Sequence, residues 1–209
     1  MFTPMRPALL ATTLVLSASA CGDDGGTGNP SVDAPTGGGS ADAAIDSAPP
    51  DTPMGGTFAI TSPTITEGGA IPLTHVCANR GGMNQSPQLV FANPPAGTMS
   101  YAVVLTDLSN GLVHSAIYDI PSSATGLPAD VDKVYAPPDV PGAHQTLAYN
   151  NMRGYAGPCP STAHMYQFKI YALSTATLPN AMMNTTKDQV VTAAATNLGT
   201  ATLTATFTP

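Results

Sequence analysis

The stretch GYAGPCPSTAHMYQFKIYAL, Gly154 to Leu173, changes character half-way along. Its first half is dense in Gly and Pro, which supply turns and remove backbone donors, so it reads as a rigid turning segment. Its second half alternates: His164, Tyr166, Phe168, Ile170 and Ala172 fall on one face of an extended chain, the period-2 signature of a strand with a buried side. His164 and Tyr166 therefore stand where a proline-stiffened turn feeds a strand, and the rest of the chain decides what meets them there.

Outward from this strand the pattern repeats. Phe58–Thr61 and Gln88–Phe91 are short strand candidates. Tyr101–Asp107 is apolar on both faces, with Tyr101, Val103 and Leu105 opposite Ala102 and Val104, as expected of a central strand. Leu112–Ile120 is a further strand, whose strict alternation puts Leu112, His114, Ala116, Tyr118 and Ile120 on a common face. Helical spacing is confined to TTKDQVVTAAATNL, with a capping Thr185 or Thr186 and a stop at Gly199; Thr200–Thr208 then resumes alternation. Between about Ala129 and Gly157 the prolines and glycines argue against regular elements, yet the segment carries Tyr135, His144, Tyr149 and Tyr155. A connection so long and aromatic is expected to be ordered, lying across the sheet and walling a pocket. The expected fold is mainly antiparallel β with little helix, over residues 57–209.

The N-terminal part is of another kind. Residues 1–21, MFTPMRPALLATTLVLSASAC, combine Arg6, an apolar run and small residues before Cys21, the pattern of an export signal. A cysteine directly after SASA reads as a lipobox, with Cys21 lipidated to become the mature N-terminus; cleavage without lipidation is the simpler alternative. Residues 22–56 are Gly, Asp, Ser, Ala, Pro and Thr with few apolar residues, too little to offset chain entropy, and read as a disordered tether. A flexible chain of that length spans on the order of 30 Å. The expected setting is a bacterial cell envelope, the domain held to a membrane only through the N-terminal lipid.

The formal net charge of −7 is mostly the tether's, since Asp23, Asp24, Asp33, Asp42, Asp46 and Asp51 lie there. With no basic run in the remainder, nucleic acid is excluded as a partner. If Cys21 is lipidated, Cys77 and Cys159 remain, and an even remainder in an exported chain points to a disulfide, two buried thiols being the plainer reading.

Polar groups gather at one end of this pattern. A short loop, LSNGLV, separates Asp107 from His114, so a hairpin brings the two together; if the His164 strand is a neighbour, a carboxylate, two imidazoles and a phenol meet at one mouth. Two imidazoles and a phenol are hydrogen-bond donors for an anion, and a carboxylate beside an imidazole fixes its tautomer. Each residue also has a structural reading: core histidine, Asx turn, or core tyrosine with a bonded hydroxyl. His75 and His144 fall in loops and are assigned no role.

FAITSPTITEGGAIP, NQSPQLVFANPPAGTMSYAVVLTD, LVHSAIYDIP and GYAGPCPSTAHMYQFKIYAL, taken in this order, resemble the phosphatidylethanolamine-binding protein family, in particular its bacterial, Raf kinase inhibitor-like branch. The resemblance runs from about Phe58 to Phe207. It implies a large antiparallel sheet packed on a smaller one, a C-terminal helix, and an anion pocket whose residues correspond to Asp107, His114, Pro158, His164 and Tyr166. The departures are Ser109 in place of a second acid, Ser115 in place of Trp, and STA where the family pattern is a residue longer.

The resulting expectation is a non-catalytic binding domain, without cofactor, for a small anion or phosphorylated head group. Three alternatives stand beside it: an inhibitor of an envelope protease or other protein partner, an acid–base hydrolase using Asp107 and His114, and a metal site built from Asp107, His114 and His164. No nucleophile motif accompanies the second.

Overall fold

The structure, a computed structural model, describes residues 56–209. The signal segment 1–21 with Cys21, and the tether up to residue 55, lie outside the described residues.

Among the described residues, eight strands form two antiparallel sheets, accompanied by one α-helix. The larger contains β3 (Ser100–Asp107), β4 (Leu112–Pro121), β6 (His144–Gln145), β7 (His164–Leu173) and β8 (Gly199–Phe207), in the order β6-β4-β3-β7-β8. The smaller contains β1 (Ala59–Thr61), β2 (Leu89–Ala92) and β5 (Gly126–Leu127), in the order β1-β2-β5. β3 is the middle strand of its sheet and is buried on both faces, which is why its sequence is apolar on both.

Tyr101, Val103 and Leu105 of β3, Tyr166, Phe168 and Ile170 of β7, and Leu203, Ala205 and Phe207 of β8 pack toward the small sheet, where Ile60, Leu89, Phe91 and Leu127 meet them. Each large side chain buried this way contributes about 1.5–3 kcal/mol. The other face of the large sheet, with Ala102, Val104, Ala116, Tyr118 and Tyr171, is covered by Leu178 and by Val190 and Ala194 of the helix side.

Helix α1 (Lys187–Ala193) is shorter than its apolar spacing predicts. Thr186 is its N-cap, in a reciprocal capping box with Gln189. The chain leaves the helix at Ala194, and the Asn197 amide then donates to the Ala194 and Ala195 carbonyls; Leu198 is left exposed instead of extending the buried stripe. In the segment expected to lack regular structure, His144–Gln145 forms a two-residue edge strand on β4.

Strand β4 departs from strict alternation in two places. Opposite β3, Leu105 pairs with Ser115 and Thr106 with Val113, so His114 is an extra residue; Tyr101 pairs with Ile120 and Val103 with Ile117, which inserts a second extra residue near Asp119, whose φ is 57°. A bulge re-aims the side chains that follow it. Ile120 therefore packs with Ile117 toward the small sheet, and His114 lies on the Tyr166 side while Ala116 and Tyr118 face the helix. The expected common face of β4 is thus split.

Candidate functional site

Asp107 ends β3 and is 2 % exposed. Oδ1 accepts the Ser109 backbone N–H at 2.9 Å, and Oδ2 accepts from Asn110 Nδ2 at 3.1 Å. The tight return to β4 uses Gly111 at φ 76°, a left-handed conformation that glycine adopts without penalty, and the Gly111 N–H closes onto the Asp107 carbonyl. Asp107 is therefore a turn-forming residue, yet Oδ2 also accepts from His164 Nδ1 at 2.6 Å. The β3–β7 register makes this contact, pairing Asp107 with Tyr166 two residues beyond His164.

His114 reaches the same end of the sheet through its bulge. Its Nδ1 lies 3.0 Å from the carbonyl oxygen of Ala156, which can only accept, so Nδ1 carries the proton. The ring packs 4.4 Å from Tyr149 and edge-on, at 5.4 Å, to Tyr166. Burial pushes the His114 imidazole below its ordinary value, against the opposing pull of the Ala156 carbonyl and the Asp107 charge. Burial, and next the Asp107 charge, pushes the Tyr166 phenol upward, so this hydroxyl keeps its proton.

These groups enclose a hollow of about 100 Å³ lined by Asp107, Asn110, Leu112, His114, Tyr149, Cys159, Pro160, His164 and Tyr166. Asp107, His114, His164 and Tyr166 are thus brought together from three strands. Pro158 stands one residue behind the lining; it is buried, and its carbonyl accepts the Cys77 N–H at 3.0 Å. Asn110, Tyr149 and Pro160 were not singled out in the sequence, although the aromatic content of the 129–157 segment signalled Tyr149. That segment walls the hollow as expected, with Tyr149 lining it and Ala156 orienting His114.

The turn before β7 is clamped. Cys77 and Cys159 form a disulfide with Cα atoms 5.4 Å apart, Tyr155 donates to the His75 carbonyl, and the Gly157 N–H donates to Asn84 Oδ1. His75 is part of this clamp: Nδ1 donates to the Gln85 carbonyl and Nε2 accepts from the Thr64 hydroxyl. His144 pairs with Asp119 at 3.1 Å on the helix side of the sheet, near Tyr118, a contact made by a different set of elements from those at the hollow. Since Cys159 is bridged, it offers no thiolate. Among the described residues no three His, Cys, Asp or Glu side chains gather in a group that could hold a metal ion.

The family model for phosphatidylethanolamine-binding proteins matches residues 61–208. The chain belongs to the phosphatidylethanolamine-binding protein family. Members of this family are in general binding domains without catalytic activity. The UPF0098 protein YbcL of Escherichia coli strain K12 is 34 % identical over 131 residues, covering 58 % of this chain and 72 % of that one. A UPF0098 protein of Aquifex aeolicus is 32 % identical over 130 residues, covering 59 % and 72 % respectively. The crystal structure of E. coli YbcL, described there as a new member of the mammalian family, superposes with a TM-score of 0.66 at 31 % identity, covering 74 % of this chain and 99 % of that one. The larger sheet, smaller sheet and helix before the last strand thus follow the family's architecture.

Proposed function

We propose that this chain is an exported, lipid-anchored, non-catalytic domain that binds a small anion or a phosphorylated head group in the hollow between His114 and His164. One observation carries the reading: Asp107, His114, His164 and Tyr166 converge on a single cavity from three strands, and its polar lining combines the two imidazoles and the Tyr149 and Tyr166 phenols with Asn110 and an Asp107 carboxylate already engaged by His164 and Asn110. The family name points the same way, since a phosphate-bearing group is what it describes. Asp107 holds the His164 ring by its Nδ1, which leaves Nε2 as that ring's other hydrogen-bonding atom. Pro158 supports the site from behind by fixing the turn that carries Cys159 and Pro160.

Calorimetric titration with O-phosphoethanolamine tests this. Binding is expected for the unaltered domain and is expected to be lost in His164→Ala; equal binding by the variant would remove the site assignment. The anchor rests on the sequence of residues 1–21 and on Cys21 standing after SASA. Changing Cys21→Ser is expected to move the protein from the membrane fraction to the soluble fraction, and retention on the membrane would overturn the lipid attachment.

A further inference from the structure

Between the two sheets, a chamber of about 40 Å³ lies beside the hollow and shares no lining residue with it. Its floor is the Leu105–Phe168 pair, the next same-face pair along β3 and β7 from Asp107–Tyr166. Leu89 and Leu127 of the small sheet, with Val103 and Val131, complete a buried apolar wall. Two polar side chains interrupt that wall. Ser115 is 7 % exposed and Gln145 is 3 % exposed, so both are more than nine-tenths buried. Ile117 packs toward the small sheet, and Ser115, two residues before it on β4, shares that face. Gln145 spends both amide hydrogens on the Asp132 and Val134 carbonyls, which leaves its Oε1 without a donor. The Ser115 hydroxyl also makes no hydrogen bond within the described residues, yet no fully enclosed side-chain nitrogen or oxygen among them lacks a partner. Both oxygens therefore open onto free space, and the space that both residues line is the chamber.

A cavity walled by hydrocarbon alone stays dry, whereas buried polar atoms are matched by a partner. We propose that the chamber is a second binding site and that it takes a small neutral alcohol of one or two carbons, with the alcohol O–H donated to Gln145 Oε1 and its oxygen accepting from the Ser115 hydroxyl. A single hydroxyl can serve both residues. Water has the same capacity, and size decides between them. One water needs about 10–15 Å³ of cavity, so the chamber is larger than one water requires, and a second would rest against Leu, Val and Phe side chains with too few partners. A one- or two-carbon alkyl group fills that remainder with apolar surface, which these walls favour. Charged molecules are excluded. No carboxylate, ammonium, guanidinium or imidazole lines the chamber, and Tyr155, the titratable side chain that does, has its hydroxyl donated to the His75 carbonyl. Ser86 is the half-buried residue of the lining, with its Oγ accepting the Val131 N–H, and marks the outer end of the chamber.

Nuclear magnetic resonance of the whole protein, with Val and Leu methyl groups labelled, tests the site during titration with ethanol, acetonitrile and 1-butanol. Ethanol is expected to move the Val103, Leu127 and Val131 signals along a saturating curve. Acetonitrile is of similar size and accepts a hydrogen bond but gives none to Gln145, so it is expected to need on the order of tenfold higher concentration. 1-Butanol carries the same hydroxyl on a chain too long for the chamber, and is expected to leave these signals in place. Saturation by ethanol is expected to be lost in Ser115→Val, which removes the hydroxyl and puts methyl groups into the space. Ser115→Ala, a smaller change that serves if the valine variant does not fold, is expected to weaken ethanol on the order of tenfold. Ethanol shifts that stay linear would leave water as the occupant and overturn the alcohol site. Equal saturation by acetonitrile or 1-butanol, or ethanol saturation unchanged in the Ser115 variants, would overturn it as well. None of these outcomes depends on whether the hollow binds O-phosphoethanolamine.

Discussion

Burial lowers the pKa of the His114 ring below its ordinary value, while its Nδ1 bond to Ala156 fixes which nitrogen of the neutral ring carries the proton. The same burial has a cost in acid. The folded-state pKa of His114 lies below the unfolded value of 6.5, so below that pH the unfolded chain binds more protons than the folded one, and stability falls as pH falls. The urea midpoint is expected to drop between pH 7 and pH 5, and His114→Gln is expected to show a shallower drop; identical slopes would mean that this ring does not carry the effect. His164 and Tyr166 could be read from the sequence because both lie on the regular face of β7. The side of the sheet that His114 occupies was not legible: a bulge inserts one residue, and nothing in LVHSAIYDIP marks it, since His and Ser are tolerated in regular and bulged strands alike. Asn110 escaped for another reason, because its contact with Asp107 depends on the loop path rather than on periodicity.

At the scale of elements, the hollow depends on the turn from Gly154 to Pro160 as much as on the strands. The Cys77–Cys159 bridge closes a loop with a sequence separation of 82 residues and joins this turn to the 73–85 region, where Leu73–His75 and Ala78–Arg80 form short 3-10 turns. At Gly157 there is no room for a side chain: a Cβ would run into the His75 carbonyl oxygen. Gly157→Ala is therefore expected to displace the turn that carries the Ala156 carbonyl and to cost about 1–3 kcal/mol, the range for overpacking. Chemical denaturation checks the stability, and an unchanged midpoint would show that the turn yields more easily than its packing implies. The Gly and Pro content of this turn announced its rigidity, whereas its partners, Asn84 and His75, are distant in sequence and carry no motif. The short β6 strand was hidden for a similar reason: two residues pair with β4 because Gln145 and His144 meet Ile117 and Tyr118, and two residues are too few to show a period.

Across the described residues as a whole, the larger sheet is sandwiched between the smaller sheet and a helix-bearing segment, and one of its ends gathers Asp107, His114, His164 and Tyr166. Alternation in the sequence revealed the long strands because burying one face of each leaves a regular trace, while the order of strands required the pairing of β3 with β7, residues far apart in the chain. The central claim is that His114 and His164 share one anion-binding hollow, and that His75 and His144, committed to the clamp and to Asp119, do not. The most direct test is nuclear magnetic resonance of the four imidazole rings during titration with O-phosphoethanolamine. The account predicts that the His114 and His164 ring signals move together with a single saturation curve while those of His75 and His144 stay in place; movement of His144 or His75 alone, or of neither His114 nor His164 at saturating ligand, would contradict it.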